Sequence, residues 1–184
     1  MTAVDLFWDT NIFCAWLYDE SQHYDLRSIE QYLAEAKDGK WRIHTSSIAL
    51  GEIATSKIKK KVYGTMLDLL NDFVGAVVVI DASANVLELA GRLRDIPYRK
   101  NKSDKRYLSL GDAAMLATAL HLEDAYGVKV SIFHTFDNTK KKQVPLLSYH
   151  EWCEGLTGEK LALANRICAM KRERPIHAAP RLIP

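Results

Sequence analysis

The sequence has few cysteines and arranges none of them as ligands. Cys14, Cys153 and Cys168 are odd in number and widely spaced, with no Cys-x-x-Cys or Cys/His pattern. This argues against a zinc module or a disulfide framework and favours a reducing compartment. Long apolar runs are also missing. The longest, residues 73–80, is too short to span a bilayer. The first residues lack the basic segment of a secretory signal. A cytoplasmic protein with no membrane partner is the expectation. No glycine-rich phosphate loop occurs, since Gly51 and Gly111 are isolated, and the six histidines form no Ser-His-Asp pattern. Net charge is small, +2 from 25 basic and 23 acidic residues. That balance neither demands nor excludes nucleic acid, so the distribution of charge decides.

What is present is ordinary for a globular chain: 184 residues, 48% hydrophobic and 26% charged. That suits one domain with a tail. The expected division is a domain over 1–155 and a C-terminal helix with a proline-containing tail over 156–184. Strands are expected at 4–8, 41–45, 76–80 and 128–135. Helices are expected at 11–18, 24–38, through Ile48, Ile53 and Ile58, and at 63–73, 82–94, 110–124 and 159–172. Alternating strands and helices imply crossovers and a mostly parallel sheet covered on both faces, a three-layer α/β/α sandwich. Ligands bind beyond the carboxyl ends of the strands in such sheets.

Four carboxylates fall near that edge. Asp9 follows the first strand and Asp137 follows the last. Glu52 is expected early in the helix after the second strand, and Asp112 in the first turn of the helix opened by Ser109. Clustered carboxylates repel each other, and a divalent cation relieves that repulsion. All-oxygen ligands select Mg²⁺ or Mn²⁺ over zinc, and phosphodiester hydrolysis is the natural reaction. Each acid also has a plainer explanation. Asp9 suits a helix cap, Glu52 a first-turn dipole partner, Asp112 a capping box and Asp137 a turn. Asp81 also follows a strand and is taken as the cap of the helix at 82–94.

Four motifs occur in order: Phe7-Trp8-Asp9-Thr10-Asn11, Thr45-Ser-Ser-Ile-Ala-Leu-Gly-Glu52, Leu110-Gly-Asp-Ala-Ala-Met-Leu-Ala-Thr-Ala119 and His134-Thr-Phe-Asp137. Through them the chain, over about 4–152, resembles PIN-domain ribonucleases. The resemblance implies a doubly wound α/β/α fold and Mg²⁺- or Mn²⁺-dependent cleavage of RNA. It makes Asp9, Glu52, Asp112 and Asp137 the catalytic, metal-holding acids and Thr10, Asn11 and Thr135 their polar supports. Compact relatives, the VapC-like proteins, are toxins of type II toxin–antitoxin pairs and imply a small antitoxin partner. This chain departs from them by its extension past Gly155 and its prominent basic loop before Asp112. A PIN-type RNA-processing nuclease, or a non-catalytic module of the same fold, is the alternative.

Basic residues lie in sequence beside the acids: Lys57 after Glu52, Arg99, Lys100 and Lys105 before Asp112, Lys140 after Asp137. They are the expected RNA-binding set. Tyr98 and Tyr107 flank one basic loop and are candidates for stacking on bases. Leu26, Ile29, Leu33 and Ala36 share one helical face. That face suits a core, or a homodimer or antitoxin surface.

Overall fold

The structure is a computed structural model that describes residues 3–101, 103–138 and 142–177. Its elements run β1 (Val4–Trp8), α1 (Thr10–Leu17), α2 (Leu26–Lys37), β2 (Trp41–Ser46), α3 (Ile48–Glu52), α4 (Met66–Asp72) and β3 (Val77–Ile80). They continue with α5 (Ala84–Arg94), a hairpin of β4 (Arg99–Lys100) and β5 (Asp104–Lys105), α6 (Leu110–Tyr126), β6 (Ile132–His134), α7 (Gly158–Ala169) and β7 (Arg172–Glu173). Among the described residues the main sheet has the order β3-β2-β1-β6-β7, and every pairing in it is parallel. Helices cover both faces, as expected of a three-layer α/β/α sandwich.

Burial on both faces explains why β1 is a continuous apolar run. Leu6, Phe7 and Trp8 are all fully buried but point to opposite sides. Leu6 and Trp8 join a core cluster with residues of α1, α2 and α4. Phe7 joins the other, built largely from α5, α6 and α7. Small residues let α6 pack closely: Ala113, Ala114 and Ala117 are fully buried. Leu163, Ala164 and Ile167 of α7 belong to that same cluster, so residues beyond 155 help to build it. Leu26, Ile29, Leu33 and Ala36 are buried in the other cluster, so this face of α2 is core and closed to a partner.

Several elements differ from expectation. The helix through Ile48, Ile53 and Ile58 stops at Glu52, and Ile53 is extended, with φ −79° and ψ 109°. A spacing of five residues does not repeat on one helical face. The helix expected from residue 82 starts at Ala84, and Ser83, not Asp81, caps it by accepting from the Val86 N–H. The last helix ends at Ala169, because Arg172 and Glu173 pair with β6 as an edge strand. Two charged residues carry no strand pattern. Arg172 gains its partners only on folding: its guanidinium donates to the carbonyls of Leu146, Ile167 and Met170.

The chain leaves β1 toward β2 and β3 on one side, then returns to place β6 and β7 on the other. The strand order therefore reverses between β1 and β6. In open parallel sheets that reversal opens a crevice at the carboxyl ends of the strands.

Candidate active site

Asp9 and Thr135 stand at the two lips of that crevice, directly after β1 and β6. A cleft of about 560 Å³ opens there, lined by Asp9, Thr10, Asn11, Cys14, Tyr24, Glu52, Asp112, Phe136, Asp137, Asn138 and Arg174. All four acids singled out from the sequence line it.

Asp9 occupies the N-cap position of α1, yet its side chain makes no capping hydrogen bond. Its Oδ2 instead accepts from the Thr135 hydroxyl at 2.7 Å and from Asn11 Nδ2 at 2.6 Å. Helix capping therefore does not account for this aspartate. The network closes on itself. Asn11 also donates to Thr135 Oγ1 at 3.0 Å and accepts from the Phe136 N–H, and Thr135 Oγ1 accepts from the Asp137 N–H at 3.0 Å. Thr135 thus bridges the first and last acids. Asp137 Oδ2 accepts from the Leu146 N–H at 3.2 Å, which ties the returning chain down.

Glu52 ends α3 rather than beginning it. A carboxylate at a helix C-terminus opposes the helix dipole, so dipole stabilisation does not explain it either. The Thr10 hydroxyl donates to its Oε2. Its other oxygen lies against Gly111, at the start of α6. Asp112 follows in that first turn. Ser109 caps α6 by accepting from the Asp112 N–H at 3.1 Å, and its hydroxyl donates to Asp112 Oδ2. Asp9, Asp112 and Asp137 are buried, and Glu52 is exposed at the mouth.

Other groups in and beside the cleft are held neutral. Burial pushes the Cys14 thiol up, against a hydrogen bond with Tyr18, and the charges of Glu20, Glu52 and Asp9 add to the rise. A thiol in that state is a poor nucleophile at neutral pH. Burial likewise raises Tyr24, with Glu20 adding, Arg174 opposing and Asp137 adding. Beneath the cleft, burial lowers His134 to about 4, with Lys171 contributing. Its Nδ1 accepts from Trp8 Nε1 at 3.0 Å. His134 is a neutral core residue.

Of the basic residues expected to bind RNA, the described ones, Lys57, Arg99, Lys100 and Lys105, do not line this cleft. Arg99 Nε donates to the Glu154 carbonyl and its guanidinium packs over Gly155, while Lys100 pairs with Glu151. Arg99 and Lys105 line a separate cavity of about 310 Å³. Lys57 is exposed in the short 3₁₀ turn Thr55–Lys57 and does not line the acid cleft. Lys140 lies outside the described residues. Tyr98 is 1% exposed and its hydroxyl contacts the Leu93 carbonyl and the Tyr149 hydroxyl, so it is core rather than a stacking platform. Tyr107 is 51% exposed. Conversely, the sequence reading missed Tyr24, Phe136 and Arg174. Only Phe136 lay inside a motif, between Thr135 and Asp137.

Among the described residues, no three His, Cys, Asp or Glu side chains are gathered into a ready-made metal-binding group. The donor chemistry still fits a hydrated hard cation. Mg²⁺ usually keeps several waters and takes one or two carboxylates rather than a full protein cage. Acids spread around a polar cleft, each oriented by hydroxyl, amide or backbone donors, meet that requirement.

An α/β/α sandwich with carboxylates collected at the switch point defines the class: a doubly wound α/β domain with an acidic centre. The chain belongs to the PIN domain family, whose profile matches residues 6–142. PIN domains are in general nucleases. Among solved structures, the chain is similar to one in the crystal structure of VapBC2 from Rickettsia felis bound to a DNA fragment from their promoter. The match has 21% identity and a TM-score of 0.50, and covers 93% of this chain and 98% of that one. No curated protein sequence matches significantly. Among the described residues, no helix is long and apolar enough to cross a membrane.

Proposed function

We propose that the protein is a divalent-metal-dependent endoribonuclease acting at the Asp9 cleft. The observation that carries this is the hydrogen-bonded set Asp9–Asn11–Thr135–Asp137, which holds two acids from opposite sides of the switch point in one fixed frame. Asp9, Asp112, Asp137 and Glu52 would hold Mg²⁺ or Mn²⁺. When bound, such an ion supplies Lewis acidity at a phosphate and a water of lowered pKa.

The chain's own groups do the rest. Thr135 and Asn11 fix the Asp9 carboxylate, so it loses little freedom when a ligand arrives. Thr10 holds Glu52 at the mouth. Ser109 orients Asp112. Arg174 offsets part of the negative charge that would otherwise repel an RNA strand. Cys14 and His134 are neutral at working pH, which favours attack by water over a covalent enzyme intermediate.

Within this reading the protein acts as the toxin of a toxin–antitoxin pair, in the cytoplasm, with a small antitoxin as partner. Support comes from the resemblance to VapC-like toxins and from the fold shared with a chain of the VapBC2 complex. Cleavage of a mixed single-stranded RNA pool with Mn²⁺, Mg²⁺ or EDTA, beside Asp9→Asn, tests the activity. Cleavage that needs metal and Asp9 supports it; metal-independent cleavage, or full activity in Asp9→Asn, overturns it. Co-purification of a small DNA-binding protein encoded beside the gene supports the toxin assignment. Its absence leaves an RNA-processing nuclease.

A further inference from the structure

Among the groups that line the acid cleft, Tyr24, Phe136 and Arg174 stand out as two rings and a cation beside the acids. The rings of Tyr24 and Phe136 are stacked, with centroids 4.0 Å apart and planes at 23°. Both rings are half-buried and lean on the core cluster behind them. Such a pair is a preformed aromatic platform at the cleft wall. Its side chains are already ordered, so a third ring can stack on it with little further loss of freedom.

Arg174 reaches the cleft by a non-local route. β7 pairs in register with β6, Phe133 opposite Arg172 and His134 opposite Glu173, and the Thr135 N–H donates to the Glu173 carbonyl at 3.0 Å. The next residue of each strand is Phe136's neighbour Thr135 on one side and Arg174 on the other. Beyond Arg174 the chain is anchored again. The His177 N–H donates to Ser28 Oγ at 2.9 Å, and its ring contacts Glu35 at 3.0 Å and Tyr32 edge-on. Arg174 is therefore an exposed cation held between two fixed points, at the lip of an acidic cleft.

We propose that Tyr24, Phe136 and Arg174 form a nucleotide subsite beside the acids, in which Arg174 takes a backbone phosphate and the aromatic pair stacks on the adjoining unpaired base. This rests on the nuclease reading and assigns to these three residues the seating of one unpaired nucleotide beside the acids. A guanidinium matches a phosphate with two parallel donors. Every base has a π-face, so the platform tolerates any sequence. A base still inside a duplex stays in its own stack and cannot reach it without being extruded.

The test measures binding of a short labelled single-stranded RNA, its abasic counterpart and the matching duplex, with Mg²⁺, in the uncleaving Asp9→Asn chain. Tyr24→Leu and Phe136→Leu, which keep apolar volume, are expected to weaken the base-carrying strand about tenfold or more and leave the abasic strand unchanged. Arg174→Ala is expected to weaken both strands and to lower the slope of log affinity against log salt by about 0.7, with Arg174→Lys partly restoring it. Equal weakening of both strands by the leucine variants would reduce the pair to packing. Unchanged or tighter binding in Arg174→Ala would make Arg174 a resident counter-ion of the acids, and duplex bound as well as single strand would likewise overturn the subsite. Cleavage by the otherwise unaltered chain separates the two readings. If it cleaves and the three variants keep its kcat/KM, the subsite falls and the nuclease reading stands. If it cleaves nothing with any metal while the binding changes hold, the reverse is true.

Discussion

The Glu52 carboxylate occupies the space that a side chain at Gly111 would need. A Cβ built on Gly111 would overlap Glu52 Oε1 and crowd its Cδ at 3.2 Å, although the glycine itself is an ordinary member of α6. Gly111→Ala is therefore expected to swing the flexible Glu52 side chain out of the cleft. Alanine is the better helix former by about 1 kcal/mol in a helix interior, and only part of that applies at the second residue of α6, so the thermal midpoint should change little. RNA cleavage should fall about 10–100-fold, as for loss of a supporting contact at a metal site. Combining Gly111→Ala with Glu52→Gln should add little to either alone. Unchanged cleavage in Gly111→Ala would remove Glu52 from the site.

Thr135 carries a different burden, since one buried hydroxyl serves three groups. It donates to Asp9 and accepts from Asn11 and from the Asp137 N–H. Thr135→Val keeps the shape and deletes all three bonds. Denaturant unfolding should show a loss of about 1–3 kcal/mol, and cleavage should drop about 10–100-fold. Thr135→Ser should restore most of both. Recovery of stability without recovery of cleavage would place the bridge outside the chemistry.

These two residues also mark what the sequence could tell. Asp9 was legible because it directly follows β1 and Asp137 because it lies three residues past the end of β6, and in a parallel sheet such positions put a residue on the ligand-binding edge. Asp112 was legible only through its motif, because its place three residues after Ser109 equally suits a capping box. Gly111 carried no sign of its role, since its meaning depends on the approach of Glu52 from another helix. Arg174 was harder still: it sits after a strand of two charged residues, and only pairing with β6 and the anchoring of His177 bring it to the cleft. Arg99 and Lys100 stand apart from the acid cleft for a related reason. Arg99 and Lys100 lie near Asp112 in sequence, but their charges are engaged by the turn at Glu151–Gly155, whose position only the folded chain sets.

Acid stability should carry the signature of His134. Its pKa is lowered from 6.5 to about 4, mainly by burial. The unfolded chain therefore binds a proton that the folded chain refuses between those values. The ring's contribution is complete above about pH 6.5, declines as pH falls and is exhausted near pH 4. At about 1.4 kcal/mol per pH unit, the full loss is roughly 3–4 kcal/mol. Urea unfolding of the native chain should be steeper in pH between 7 and 5 than that of His134→Gln, which keeps a hydrogen-bonding side chain without the titration. Parallel pH profiles would contradict a neutral, buried His134.

The central claim is that the Asp9 cleft cuts RNA with a divalent ion. Its most direct test is the single-turnover cleavage rate of one defined single-stranded RNA as Mn²⁺ is titrated, for the native chain, Asp9→Asn and Asp112→Asn, with folding checked by thermal melting. The account predicts a saturable rise with Mn²⁺ in the native chain, abolished by EDTA. It also predicts a loss of more than about 100-fold in both variants, beyond that expected for a supporting residue, with little change in melting. Cleavage that ignores Mn²⁺, or that survives Asp9→Asn at the native rate, would contradict it.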